Sequence, residues 1–221
     1  MVRSEPHDIT REIRDLERGL EILKIPFNVR IIEQFKQYIE LLYAYEGNVH
    51  LISRGDYECI SRRHFLPSLV ALQHISHCRT VCDIGAGAGF PSVPLKLFTP
   101  GIHYTLFEST KKKACFLEEL VGKLELQHME IVAERAEQCE DRTFDLILLK
   151  AVGAIQKMIK TIDRFLVPQG RAIFFKSPNH ERELTEAQAE LTKRRLRARV
   201  ELVSTPLEGS PLVLVIVERQ Y

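Results

Sequence analysis

The chain has 221 residues, 45% apolar and 28% charged. That is the balance of an ordinary globular protein, long enough to bury a core without a metal or disulfide staple. Lys plus Arg number 31 and Asp plus Glu 30, a formal net charge of +1, which excludes a chain drawn onto nucleic acid or a membrane by overall charge; any basic surface must be local.

The opening stretch, MVRSEPHDITREIRDLERG, is charged throughout, so no signal peptide is expected. A helix is predicted over residues 9–23, where Ile9, Ile13, Leu16, Leu20 and Leu23 recur at three- and four-residue steps. Pro26 interrupts it. A second helix carries Val29, Ile32, Phe35, Ile39 and Leu42 on one stripe and ends at Gly47-Asn48. A third helical stretch is expected over 56–76, kinked or restarted near Pro67. The five cysteines (Cys59, Cys78, Cys82, Cys115, Cys139) form no CxxC pair, and no His pair has a zinc-ligand spacing. Free thiols, a reducing cytoplasm and no metal site are therefore expected.

From Arg79 the pattern changes to short β-branched runs alternating with helical stretches. Strands are predicted at 80–84, 103–108, 129–133, 144–150 and 171–176. Helices are predicted between them, ending near 98 and over 111–123, 155–166 and 181–197. Two further strands, 200–204 and 212–218, are joined by a loop too short for a crossover helix, so they pair antiparallel or sit apart. The longest apolar runs, 146–149 and 212–217, are too short to span a bilayer. The expected organisation is a helical extension over 1–78, followed by a Rossmann-like α/β domain over 79–221. Its sheet is mostly parallel and seven-stranded with an antiparallel C-terminal strand, the pattern of class I S-adenosylmethionine-dependent methyltransferases.

The strongest local signal is Val81-Cys82-Asp83-Ile84-Gly85-Ala86-Gly87-Ala88-Gly89-Phe90-Pro91. A strand ends in an acid, three glycines alternate, and a helix begins. Glycines let the backbone turn tightly and approach a ligand with no Cβ in the way. The spacing differs from the G-x-G-x-x-G that seats a pyrophosphate, and an acid before the first glycine suits a cationic ligand such as S-adenosylmethionine better than phosphates. The next strand ends at Glu108, about twenty residues on, where a carboxylate can accept hydrogen bonds from a ribose diol. Ala136 and Glu137, after the third strand, fall where an adenine would lie in this architecture. Lys150 ends the fourth strand, facing the donor methyl. Each feature alone also fits a plain turn or strand end. Together Asp83, Gly85, Gly87, Gly89, Phe90, Glu108, Ala136, Glu137 and Lys150 outline a cofactor site.

On these motifs the chain resembles the RsmG (GidB) family of 16S ribosomal RNA guanine-N7 methyltransferases. The resemblance takes in Asn48-Val49-His50-Leu51-Ile52-Ser53, Arg63-His64-Phe65-Leu66-Pro67-Ser68-Leu69, the loop from Asp83 to Pro94, Glu108-Ser109 with Lys111-Lys112-Lys113 and Phe116-Leu117, Phe144-Asp145, Gly170 and Lys176. Lys150-Ala151 stands where the family usually has Arg-Ala, keeping the charge but losing the forked donor set. Pro67, Ser92 and Ser177 replace an Asp and two Gly, and Ser210-Pro211 stands where an Arg-His pair is common. The resemblance implies S-adenosylmethionine as cofactor and a guanosine in the 530 loop of 16S rRNA, in the small ribosomal subunit, as acceptor. No general base is expected, because guanine N7 has a free lone pair, and Lys150 would have a positioning role. RNA contacts are expected from Arg63, His64, Lys111, Lys112, Arg194 and Arg195. A cytoplasmic monomer is expected. The alternatives are a methyltransferase of the same fold acting on another RNA position or a small molecule, and a non-catalytic RNA- or ribosome-binding descendant.

Overall fold

The computed structural model describes residues 8–140, 142–207 and 212–220. Helix α1 (Ile9–Ile22) starts at Asp8, whose carboxylate accepts the Arg11 N–H at 2.9 Å. Helix α2 (Val29–Tyr45) is capped in the same way by Asn28. Such caps satisfy backbone donors that have no partner inside the helix. The helical stretch expected over 56–76, kinked or restarted near Pro67, is a chain of short helical turns with a restart at Leu66. A 3-10 turn (Arg54–Asp56) and a π-helical turn (Ser61–Phe65) precede α3 (Leu66–Leu69) and a second 3-10 turn (Val70–His74). Pro67 has no N–H to donate and crowds the carbonyl four residues back, so helix does not run unbroken from the preceding turn, while Pro67 itself is accommodated in the first turn of α3. A tertiary contact also pulls on this segment: buried Glu12 accepts the Ser61 N–H at 2.7 Å, and the Ser61 hydroxyl donates to the Glu12 carbonyl at 2.8 Å.

The α/β part runs β1 (Thr80–Ile84), α4 (Ser92–Phe98), β2 (His103–Phe107), α5 (Lys111–Lys123), β3 (Met129–Val132), β4 (Phe144–Lys150), α6 (Ile155–Phe165), β5 (Leu166–Lys176), α7 (Glu181–Lys193), β6 (Leu196–Val203) and β7 (Leu212–Arg219). The strands form one sheet in the order β3-β2-β1-β4-β5-β7-β6. β1 to β5 pair in parallel, and β7 runs antiparallel between β5 and β6. This is the expected architecture. The expected final helix stops at Lys193 rather than 197, because Leu196 is buried in the sheet opposite Arg219. The loop before β7, with Ser210-Pro211, lies partly outside the described residues.

Strand alternation divides the core. Val81, Leu106, Leu146, Leu148 and Ile173 face α1–α5 on one side of the sheet. Ile147, Leu149, Ala172, Phe174 and Val215 face α6 and α7 on the other. The same period carries Asp83 and Lys150 to the α1–α5 side, at the carboxyl edge of adjacent strands. That edge is where ligands bind in open α/β sheets.

Candidate active site

The turn after β1 is built on three glycines in the left-handed region, with φ of +73° at Gly85, +58° at Gly87 and +95° at Gly89. The Gly85 and Ala86 N–H groups both donate to the Phe107 carbonyl, at 2.8 and 3.1 Å, which ties the turn to the end of β2. Side chains are excluded at two of the glycines. A Cβ at Gly85 would meet Val152 Cγ2 at 3.0 Å, and one at Gly89 would meet Tyr38 Oη at 2.7 Å.

Glu108 turns inward and is 7% exposed. Its Oε2 accepts the Gly87 N–H at 2.9 Å, and its Oε1 accepts the Thr110 N–H at 2.7 Å. One carboxylate thus joins the glycine turn, the end of β2 and the start of α5. Ala136 is buried and begins a 3-10 turn after β3. The Arg164 guanidinium donates to the Ala136 and Glu137 carbonyls, both at 3.1 Å, and fixes that turn.

Asp83 is fully buried, and neither oxygen has a hydrogen-bond partner among the described residues. Burial raises its pKa to about 7, against the pull of the Ser92 hydroxyl and amide and of the Lys150 charge. Both Ser92 groups face Asp83 without closing a hydrogen bond of good geometry. Lys150 is half-buried along its stem, but its Nζ is enclosed and has no hydrogen-bond partner among the described residues. Burial lowers its pKa to about 8, opposed by Asp83 and Asp56. Its Nζ lies 5.1 Å from the Phe90 ring centroid. Phe90 lies nearly parallel to His64, with centroids 4.7 Å apart, and to Tyr38, at 5.4 Å. The Tyr38 hydroxyl donates to the Ala88 carbonyl. The N-terminal helices therefore supply part of the wall behind the glycine turn.

Of the residues expected to form the site, Asp83, Gly85, Gly87, Gly89, Phe90, Glu108 and Lys150 come together at one edge of the sheet. Tyr38 and Val152 join them without having been singled out in the sequence, because each reaches the glycine turn from a distant segment; Ser92, noted in the sequence where a Gly is usual, joins them from the start of α4. The residues expected to contact RNA are spread out. Lys111 and Lys112 are exposed on the first turn of α5, beside Glu108. Arg63 is exposed and paired with Asp56 at 2.6 Å. His64 lies against Phe90, with Nε2 3.2 Å from Asp56 and its pKa lowered by burial. Arg194 and Arg195 lie where α7 returns to β6, at the opposite edge of the sheet from the glycine turn. There Arg194 is bound to Glu190 at 2.7 Å and Asp163 at 3.0 Å.

The donor set fits S-adenosylmethionine. Gly85 and Gly89 let the turn pack tightly on Val152 and Tyr38, Gly87 borders open space with only the Gly85 carbonyl near its Cβ position, at 3.8 Å, and a buried carboxylate, Asp83, has no hydrogen-bond partner among the described residues. Among the described residues no group of His, Cys, Asp and Glu is arranged to hold a metal ion, and no helix is long and apolar enough to cross a membrane.

Solved structures share the fold. A SAM-dependent O-methyltransferase from Thermotoga maritima superposes with a TM-score of 0.58 at 14% identity, covering 83% of this chain and 72% of that one. A ribosomal protein L11 methylase from Lactobacillus delbrueckii subsp. bulgaricus does so with a TM-score of 0.57 at 16% identity, covering 70% and 77%. Sequence relatives are more specific. The chain is 30% identical over 214 residues to ribosomal RNA small subunit methyltransferase G of Lysinibacillus sphaericus, covering 92% of this chain and 90% of the relative. It is 28% identical over 187 residues to the protein of the same name from Bacillus subtilis, covering 81% and 78%. The family model described as rRNA small subunit methyltransferase G, GidB, matches residues 31–206; the chain belongs to that family.

Proposed function

We propose that the chain transfers the methyl group of S-adenosylmethionine to N7 of a guanosine in 16S rRNA, in the 530 loop, with the small ribosomal subunit as the particle it recognises. Family membership and the methyltransferase fold support the reaction class. The single observation that carries the site is the Glu108 carboxylate 2.9 Å from the Gly87 N–H, which sets an acid against the glycine turn. When bound, the cofactor supplies an activated methyl on a sulfonium.

The chain's own residues hold and shield the two reactants. Gly85, Gly87, Gly89 and Phe90 wall the cofactor, and Glu108 takes the ribose while keeping the turn closed. Asp83 faces the amino-acid end, where a cation relieves its unpaired burial. Ala136 and Glu137 frame the base. Guanine N7 carries no proton, so no residue has to remove one. Orientation is then the main contribution, worth about 7–11 kcal/mol for well-placed reactants. Lys150, enclosed next to Phe90, holds the transfer geometry. RNA is drawn to local cations, of which Lys111 and Lys112 stand nearest the turn. On this reading residues 1–78 form an extension that completes the wall through Tyr38 and His64 and presents Arg63 at the surface.

Deleting the gene and mapping N7-methylguanosine in small-subunit RNA by chemical cleavage tests the proposal. Loss of one mark, restored by the wild-type gene, is expected; a full set of retained marks overturns it. Titration calorimetry with S-adenosylmethionine separates an enzyme from a non-catalytic descendant, which would show no binding at millimolar cofactor.

A further inference from the structure

Residues 151–154, between β4 and α6, carry the chain from Lys150 past the glycine turn. Ala151 has a φ of 58°, in the left-handed region, where a residue with a Cβ pays roughly 1–2 kcal/mol. Such a conformation persists only where the surroundings enforce it. Val152 packs on Gly85 from one side. On the other side, Lys176 Nζ, from the end of β5, donates to the Gly153 carbonyl at 3.0 Å and to Glu183 Oε2 at 2.7 Å. The same Glu183 oxygen, from the first turn of α7, accepts the Ile155 N–H at 3.1 Å. The Lys176 and Glu183 side chains are 14% and 32% exposed. Burial works against the charge on Glu183, yet the Lys176 and Ile155 hydrogen bonds hold its carboxyl below the ordinary range. Two neighbouring elements thus grip the backbone on both sides of Ala154.

We propose that Lys176 and Glu183 are positioning residues for methyl transfer: they clamp residues 151–154 against the glycine turn and so fix the acceptor-side wall of the site. The proposal rests on the reading of the site given above. Neither residue is placed on the cofactor or the acceptor; both act through the loop. An in-line displacement tolerates little misplacement, and an error of about 1 Å can cost about 100-fold in rate. Released from the clamp, Ala151 has a relaxed backbone to fall back to.

The test compares wild type with Lys176→Met, Glu183→Gln and Lys176→Arg. Three quantities are read: the Kd for S-adenosylmethionine by calorimetry, kcat and KM on small ribosomal subunits lacking the mark, and hydrogen exchange at residues 153–155. Lys176→Met is expected to keep its cofactor Kd within about threefold while losing about 10- to 100-fold in kcat, with faster exchange at 155. Lys176→Arg restores most of the rate, since it keeps the charge and the donors. Glu183→Gln, which keeps an acceptor for the Ile155 N–H but not the ion pair, falls between. Wild-type kcat in Lys176→Met overturns the clamp. So does a kcat loss fully matched by lost cofactor affinity, or a Lys176→Arg as impaired as Lys176→Met. Should Lys176→Met not fold, Glu183→Gln carries the same criteria alone. A wild-type chain inactive on these subunits overturns the proposed function and the clamp with it, whereas an active wild type with unaffected variants overturns the clamp alone.

Discussion

The Glu108 carboxylate accepts the Gly87 N–H at 2.9 Å and, through its other oxygen, the Thr110 N–H at 2.7 Å. A side chain at the end of β2 thereby holds the turn that follows β1. Glu108→Ala leaves two backbone donors without their acceptor, a loss of about 1–3 kcal/mol for a buried group. Cofactor affinity is expected to fall about 10- to 100-fold by titration calorimetry. Glu108→Gln, which can still accept one of the two bonds, is expected to fall less. Equal affinities for wild type and Glu108→Ala would remove the ribose-binding role.

Gly89 and Gly47 separate conformational strain from steric exclusion. Both have positive φ, +95° and +82°, but a Cβ at Gly89 would lie 2.7 Å from Tyr38 Oη and 2.8 Å from Val93 Cγ2, while nothing lies within 4 Å at Gly47. Gly47→Ala should cost about 1 kcal/mol from backbone strain. Gly89→Ala should cost more, about 2–4 kcal/mol, since buried neighbours must also move. Equal midpoints for the two variants in denaturant unfolding would contradict the packing around Gly89.

Asp83 makes stability depend on pH with a definite sign. Burial raises its pKa from 3.8 to about 7, so between these values the folded chain binds more protons than the unfolded one. Its contribution to stability is therefore present at low pH and is lost as pH rises toward 7. Asp83→Asn removes this slope and is expected to raise unfolding free energy near pH 7 by on the order of 1–3 kcal/mol, while weakening cofactor binding. Unfolding curves at a series of pH values check it; an Asp83→Asn slope as steep as wild type between pH 4 and 7 would contradict the assignment.

The two cationic clusters differ in place, and RNA binding should tell them apart. Lys111 and Lys112 are exposed beside the glycine turn, whereas Arg194 is engaged by Glu190 and Asp163 at the far edge of the sheet. Each phosphate contact adds about 0.7 to the slope of log affinity against log salt for single-stranded nucleic acid. Replacing Lys111 and Lys112 by Gln should flatten that slope by roughly 1–2. Replacing Arg194 and Arg195 by Gln should leave it unchanged. The reverse result in filter binding to small-subunit RNA would move the RNA face to the other edge.

Much of this protein was legible in the sequence. The β1 and β4 strands, α5 and the antiparallel ending follow from period-two and period-3.6 patterning and from a connection too short for a crossover. The alternating glycines and the acids at 83 and 108 mark a turn and two strand ends, and these are local properties. What tertiary structure alone decided is contact between distant segments: Tyr38 and His64 against Phe90, Val152 on Gly85, Lys176 on the Gly153 carbonyl and Glu183 on the Ile155 N–H, and the separation of Arg194 from the site. It also tied the turn before Pro67 to α1 through Glu12 and Ser61, whereas the restart at the proline itself is a local property. Local patterning records which face of an element is apolar. It does not record which distant residue will meet that face, because the meeting is set by how the sheet is wound and how the helices pack across it.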